Sequence, residues 1–134
     1  MSRLDGEPFR LSQLRGKWLL LQIDSGECGD RCRRKLVYMR QARLALGKDA
    51  DRVERVWLLA DAATPGAGLL REHDGIRVAR ATEPLLEEFG AGNRAGYIYV
   101  VDPRGTLMLR FPGDPDGRRM LKDLARLLRA SRIG

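Results

Sequence analysis

The two cysteines of the chain, Cys28 and Cys32, are the residues best suited to chemistry. They stand in the segment "DSGECGDRCRR", residues 24–34, and no other cysteine is present in the sequence. Thiolates act as nucleophiles, redox groups and soft metal ligands. The C-x-x-x-C spacing is therefore compatible with a redox dithiol, with a clamp for a soft ion such as Cu(I), or with a surface thiol beside a small core residue.

Helix geometry makes a bond between the two sulfur atoms feasible. On one α-helix, residues i and i+4 share a face and their Cα atoms lie about 6.2 Å apart. Disulfides accept Cα separations of roughly 4.4–6.8 Å, so this pair falls near the wide end. Cys28 is predicted at or just before the helix N-terminus, where free N–H groups and three nearby arginines favour a thiolate, although two acidic neighbours oppose it. We therefore predict Cys28 as the nucleophile and Cys32, on the apolar face, as the resolving partner.

Short apolar runs alternate with helical patterns along the chain, and these elements must position the cysteines. Near-continuous apolar runs are typical of central strands covered on both faces. A helix is indicated where apolar residues recur every three or four positions. One short helix is predicted between the second strand, residues 56–60, and residue 76. We further predict strands at residues 18–23, 56–60, 76–79, 97–101 and 107–111. Helices are predicted at residues 31–46 and from Thr82 to Phe89. A C-terminal helix is predicted with the buried stripe Met120, Leu121, Leu124, Leu127 and Leu128.

The order of these elements predicts an α/β, thioredoxin-like fold. A βαβ unit leads into an antiparallel hairpin with the turn "DPRG" and then into a last helix, which gives a mixed central sheet with helices on both faces and a C-terminal helix. No linker or repeat divides the sequence, so residues 1–134 are predicted to form one thioredoxin-like domain. Cys28 and Cys32 are then expected at the exposed carboxyl edge of a central strand, where ligands and chemistry collect in open α/β sheets.

The composition indicates a globular domain with a basic surface. The 134 residues are 43% hydrophobic and 32% charged, with 25 Lys and Arg against 18 Asp and Glu. A net charge of +7 favours an anionic partner, such as an acidic protein or a lipid surface. No motif interleaves the basic residues with aromatic ones, so we expect no nucleic-acid role. No run reaches the roughly 18 apolar residues of a membrane-spanning helix.

Few other side chains offer themselves as metal ligands. The single histidine, His73, follows the second long strand towards the far end of the domain, and we expect an exposed turn residue rather than a ligand. Met39, Met108 and Met120 carry soft sulfur atoms but fit buried stripes or strands. A zinc site with four protein ligands is therefore not expected, whereas two thiolates on one helical turn suit Cu(I).

Most of the sequence resembles the Sco/SenC family of copper-binding, thioredoxin-like proteins. The segment "DGEPFRLSQLRGKWLLLQID" is followed by the C-x-x-x-C motif, then by "ALGKDADRVERVWLLAD", "YIYVVDPRGTLMLRFPGDP" and an amphipathic helix. The likeness runs from Leu4 to Leu128. Peroxiredoxins and other thioredoxin relatives share the opening segment, but C-x-x-x-C in place of C-x-x-C points to Sco.

This resemblance implies a role in cytochrome c oxidase assembly, exerted from a membrane anchor that faces the periplasm or the intermembrane space. It further implies a periplasmic location, with an anchor upstream of the given sequence. The partner would be a protein with a cysteine pair, either an oxidase subunit or a copper chaperone. Copper would be the cofactor, held by Cys28 and Cys32.

Two departures from the family pattern identify a degenerate member. The family motif usually reads C-P-x-x-C-P, whereas Gly29 and Arg33 replace the prolines here. The family's third copper ligand is a histidine a few residues before the strand that leads into D-P-x-G, and that position falls at Arg94. Without an imidazole the site lacks the nitrogen donor that Cu(II) prefers. The departure favours thiol–disulfide exchange over copper carriage.

Three functions are compatible with these patterns. The leading one is a Sco-like thiol–disulfide oxidoreductase in cytochrome c oxidase maturation, in which Cys28 attacks a partner disulfide and Cys32 resolves the mixed disulfide. The second is a Cu(I)-binding chaperone that uses the two cysteines. The third is a non-catalytic interaction domain whose basic C-terminal helix, residues 118–132, docks on an acidic partner or a membrane surface.

Overall fold

A mixed β-sheet forms the centre of the protein. The structure is a computed structural model that describes residues 2–3 and 10–131. Its strands are β1 (Ser2–Arg3), β2 (Trp18–Asp24), β3 (Val53–Leu59), β4 (Arg77–Arg80), β5 (Tyr97–Val101) and β6 (Leu107–Pro112), in the spatial order β1-β4-β3-β2-β5-β6. Strands β2, β3 and β4 run parallel, whereas β5 pairs antiparallel with β2 and forms a hairpin with β6.

In the part of the chain that the structure describes, four α-helices connect and close the sheet. They are α1 (Asp30–Ala45), α2 (Ala67–Glu72), α3 (Glu83–Glu87) and α4 (Gly117–Ala130). Helix α4 begins at Asp116, whose carboxylate accepts the backbone N–H groups of Arg118 and Arg119 and so caps the helix. Within the described residues, none of the helices is long and apolar enough to cross a membrane.

Apolar side chains on both faces of the sheet form the core. On one face, alternate residues of β2 and β3 pack against α3 and the residues after it. On the opposite face, the intervening residues pack against α1 and α4, and α2 covers part of the same face. Residues Trp18 to Ile23 of β2 are all buried for this reason, as expected for a central strand between two helical layers.

This architecture confirms the predicted fold class. Most elements begin and end within a few residues of their predicted bounds, but β3 begins at Val53 rather than at residue 56. Glu54 and Arg55 interrupt the apolar pattern there, yet Arg55 is only 7% exposed, and its guanidinium donates to the Asp74 carbonyl oxygen. The predicted domain 1–134 and the predicted basic helix 118–132 both include residues that lie outside the described ones, and the single-domain assignment stays a prediction.

Candidate active site: the Cys28–Cys32 pair

The loop between β2 and α1 brings the two cysteines together at the carboxyl end of the central strand. Cys32 is the third residue of α1, and Cys28 precedes the N-cap residue Gly29. The Cys28 backbone is left-handed, with φ 48°, and its N–H donates to the Ser25 carbonyl oxygen at 3.1 Å. The two sulfur atoms are 2.08 Å apart, which is disulfide distance, and the Cα atoms are 5.0 Å apart.

The Cα separation differs from the expected value of about 6.2 Å, which assumed that both cysteines belong to one helix. Cys28 lies outside α1, in a turn that directs the chain back towards the helix. It therefore approaches Cys32 more closely than the spacing i, i+4 on a helix allows. At 5.0 Å the pair falls well inside the range of roughly 4.4–6.8 Å that disulfides accept, not near its wide end.

Both cysteines are buried, each only 1% exposed, so the expectation of a thiol at an exposed edge was wrong. The alternative in which Cys28 is a surface thiol is wrong for the same reason. Helix α2 supplies part of the cover, which a reading of the β2–α1 segment alone does not reveal. An external thiol can reach either sulfur atom only after this cover moves. The surrounding apolar cluster consists of Leu36, Trp57 and Leu59, with Leu69, Leu70, Ile76 and Val78 packed around it.

The segment between β3 and α2 is tied to the cysteine loop. A Cβ atom on Gly26 would lie 2.0 Å from the Ala63 carbonyl oxygen, so only glycine fits at this contact. Asp61 Oδ1 accepts the backbone N–H groups of Gly26 at 3.0 Å and of Ala63 at 3.2 Å. Hydrogen bonds from Ser25 and from the Gly26 N–H lower the pKa of Asp61. The carboxylate therefore links the two loops that enclose the sulfur atoms.

Buried polar side chains lie beneath the cysteine pair. Gln22 Nε2 donates to Cys32 Sγ at 3.3 Å. Lys35 is 0% exposed, and its Nζ lies 3.0 Å from Asp24 Oδ2 and 3.5 Å from the Ile23 carbonyl oxygen. Burial lowers the pKa of Lys35, while the hydrogen bond and the negative charge of Asp24 oppose that shift. The Lys35–Asp24 ion pair and the Gln22 amide thus connect the end of β2 with the first turns of α1.

Sequence reasoning did not identify Gln22, Asp24 or Lys35 as site residues. The available signal was modest. Gln22 and Asp24 are polar residues at alternate positions of an otherwise apolar strand, so both side chains point to the same face. Lys35 follows Cys32 by three positions, which places the two on one face of α1. A lysine on a helix is normally exposed, and no local pattern indicates that this one is paired and buried.

Charged residues surround the beginning of α1. Arg31, Arg33 and Arg34 are exposed, as are the acidic Glu27 and Asp30. Arg33 Nε donates to the Cys28 carbonyl oxygen at 3.2 Å, which fixes one arginine directly at the cysteine loop. Gly29 provides no side chain to cap the helix. The effect of the arginines on the thiols stays a prediction.

His73 and Met108 do not lie where the sequence led us to expect them. His73 is 2% exposed, because the end of α2 packs near α1, where Arg40 donates to the Glu72 carbonyl oxygen. Burial, followed by the charge of Arg40, lowers the pKa of His73. Met108 is 46% exposed on the edge strand β6, whereas Met39 and Met120 are buried as predicted.

The donor atoms at the cysteine pair do not fit a copper site with a nitrogen ligand. Within residues 10–131, no three His, Cys, Asp or Glu side chains come close enough together to hold a metal ion. Arg94 lies in the turn before β5, and its Nε donates to the Gly90 carbonyl oxygen at 2.8 Å. The two sulfur atoms are therefore the soft donors that this site offers.

Comparison with known proteins agrees with this geometry. A family described as a transmembrane-like, thioredoxin-like, C-terminal domain matches residues 18–131. The chain belongs to this family. No curated protein sequence matches the chain.

The chain shares the fold of solved Sco proteins. Copper-bound yeast Sco1 superposes with a TM-score of 0.80 at 15% identity, over 97% of this chain and 89% of that chain. Apo Sco1 from Thermus thermophilus gives a TM-score of 0.73 at 22% identity, over 90% and 85%. BsSco, a member of the Sco family of cytochrome c oxidase assembly proteins with a disulfide switch, gives 0.64 at 15% identity, over 93% and 88%. These likenesses confirm a Sco/SenC-like thioredoxin fold.

Proposed function

We propose that this protein is a thiol–disulfide exchange protein of the Sco type that assists the maturation of cytochrome c oxidase. Cys28 and Cys32 form its redox couple and cycle between a disulfide and two thiols. The observation that carries the proposal is the pair of sulfur atoms at disulfide distance, at the carboxyl end of a central strand in a thioredoxin-like fold. Among the described residues no histidine, aspartate or glutamate joins the two cysteines in a group that could hold a metal ion, which favours exchange over stable copper binding.

The partner would be a protein with its own cysteine pair, on an oxidase subunit or on a copper chaperone. This choice rests on the fold shared with BsSco, which belongs to a family of cytochrome c oxidase assembly proteins. We place the reaction in the periplasm, with the 1–134 domain held at the membrane, because a disulfide persists in an oxidising compartment. The basic surface of α4 suits an acidic partner or an anionic lipid surface nearby.

Trapping of a mixed disulfide tests the exchange. In Cys32→Ser, Cys28 should form a mixed disulfide with glutathione that persists, because the resolving thiol is missing. In Cys28→Ser, adduct formation should be much slower, because the predicted nucleophile is missing and Cys32 is held in the first turn of α1. Intact-mass analysis of both variants in oxidised glutathione provides the readout. Equal adduct levels in the two variants would refute the assignment of Cys28 as the attacking sulfur.

A Cu(I) chaperone is the second candidate, and the specific observation in its favour is the likeness to yeast Sco1 with copper bound. After reduction, Cys28 and Cys32 present two adjacent sulfur donors, a set that Cu(I) accepts. Anaerobic titration of the reduced protein against a competing chelator should show one equivalent bound, and Cys28→Ser should abolish binding. Failure to hold one equivalent would remove this candidate and leave the exchange proposal standing.

A third outcome is a non-catalytic interaction domain. Burial of both cysteines, each 1% exposed, is the observation in its favour. A Cys28–Cys32 pair that reacts with neither glutathione nor a small dithiol would select this function over the other two.

A further inference from the structure

Gln22 is a fully buried amide whose described side-chain hydrogen bond goes to a sulfur atom of the cysteine pair. It is 0% exposed, and its Nε2 lies 3.3 Å from Cys32 Sγ. Its Oε1 has no hydrogen-bond partner among the described residues. A buried polar group without a partner is costly, so an amide at this position calls for a reason other than packing.

We propose that Gln22 stabilises Cys32 as the leaving thiolate when the disulfide is opened, and thereby directs an incoming thiolate to Cys28. The inference rests on the exchange function proposed above and deepens it. The contact is asymmetric, because the amide donates to Cys32 Sγ alone of the two sulfur atoms among the described contacts. The sulfur that receives the N–H group is the one on which negative charge is best accommodated.

The reaction balances as a two-electron exchange with a dithiol protein. A thiolate of the partner attacks Cys28 Sγ and forms a mixed disulfide, while the Cys28–Cys32 bond breaks and its electron pair leaves on Cys32 Sγ. The partner's second thiolate then attacks its own sulfur in the mixed disulfide and releases Cys28 as a thiolate. The partner is oxidised to a disulfide, the Cys28–Cys32 pair is reduced, and the two protons lost by the partner's thiols are available to the two new thiolates.

Burial makes such a donor necessary at Cys32. The apolar cluster of Leu36, Trp57 and Leu59 surrounds the pair, and a thiolate in apolar surroundings is disfavoured by desolvation. The Gln22 N–H compensates part of that cost. Once Cys32 is protonated, rotation of the amide brings Oε1 into position to accept the S–H group, so the same side chain serves both protonation states.

Gln22→Leu tests the proposal, with Gln41→Leu on the exposed side of α1 as the matched control. Removal of a hydrogen bond to a charged group should raise the pKa of Cys32 by about one unit, measured by thiolate absorbance in the Cys28→Ser background. Reduction of the intact disulfide by dithiothreitol should slow roughly three- to tenfold, because a thiol of higher pKa is a poorer leaving group. Gln41→Leu should match the wild type in both measurements.

Gln22→Glu keeps the shape of the side chain but places a carboxylate beside the sulfur. It should raise the pKa of Cys32 and slow reduction, because the carboxylate repels the thiolate instead of donating to it. The leucine variant, which adds no charge, is the one that separates a donor role from a merely structural one. If both variants are reduced as fast as the wild type, with an unchanged thiol pKa, the proposal for Gln22 is overturned while the exchange function stands. If the wild-type disulfide itself resists every dithiol, the exchange function and this inference fail together.

Discussion

Replacement of Lys35 by methionine should destabilise the protein by about 3 kcal/mol. The Lys35 ammonium is fully buried and lies 3.0 Å from Asp24 Oδ2, so its loss leaves a mostly buried carboxylate without its cation. Breaking a buried ion pair by removing one partner costs about 3–5 kcal/mol. The lower end applies because the Asp24 side chain is 13% exposed and still accepts the Ser25 N–H at 2.8 Å.

Urea denaturation of the oxidised protein measures this change. With an m-value of about 2 kcal/mol/M, the midpoint of Lys35→Met should fall by about 1.5 M. The double variant Lys35→Met/Asp24→Asn should recover much of the loss, because the second change removes the uncompensated charge. Lys48→Met, at an exposed lysine, should stay within about 0.5 kcal/mol of the wild type. A cost below about 1 kcal/mol for Lys35→Met, or a double variant no more stable than it, would refute this reasoning.

Three further predictions concern the elements around the site. Reduction of the Cys28–Cys32 bond should lower the free energy of unfolding by about 2 kcal/mol, because the loop that the bond closes is short. The melting temperature should fall by about 7 °C, which calorimetry with and without a phosphine reductant checks. Gly26→Ala should lower the free energy of unfolding by about 1–3 kcal/mol, because its Cβ would lie 2.0 Å from a backbone oxygen. The control Gly68→Ala, whose Cβ would meet no atom closer than 3.8 Å, should be neutral or stabilising in the same urea assay. Burial and the charge of Arg40 lower the pKa of His73 below 6.5, so the unfolded chain takes up the proton first and the free energy of unfolding should fall as pH drops below 6.5. His73→Gln should reduce the dependence of the free energy of unfolding on pH in this range. An unchanged dependence in this variant would contradict the assignment to His73.

The fold was predictable because the local sequence pattern identifies most of its strands. The runs at Trp18–Asp24 and Tyr97–Val101 are apolar almost throughout, as strands between two helical layers must be, and their bounds follow from that pattern. The C-terminal helix was equally plain, since Met120, Leu124 and Leu128 repeat at helical spacing and are all buried. Local periodicity was enough for these elements.

The site was predictable only in part, because its decisive features depend on contacts between distant segments. The spacing of Cys28 and Cys32 indicated a bond, but the left-handed backbone that shortens their separation arises from the loop as a whole. Part of the cover over the pair comes from α2, and Lys35 is buried where its ammonium meets the carboxylate of Asp24. No local pattern encodes which surface segment will cover a site or which lysine will find a carboxylate inside the protein.

The reduction potential of the Cys28–Cys32 pair tests the central claim most directly. Wild-type protein is equilibrated in dithiothreitol redox buffers, the thiols are alkylated, and the mass of the intact chain reports how many were free. We predict one two-electron transition between a species with no alkylated cysteine and a species with two, and its loss in Cys28→Ser. A protein that carries two alkylated thiols in every buffer, or none in any, would contradict the claim that this pair is an exchange couple.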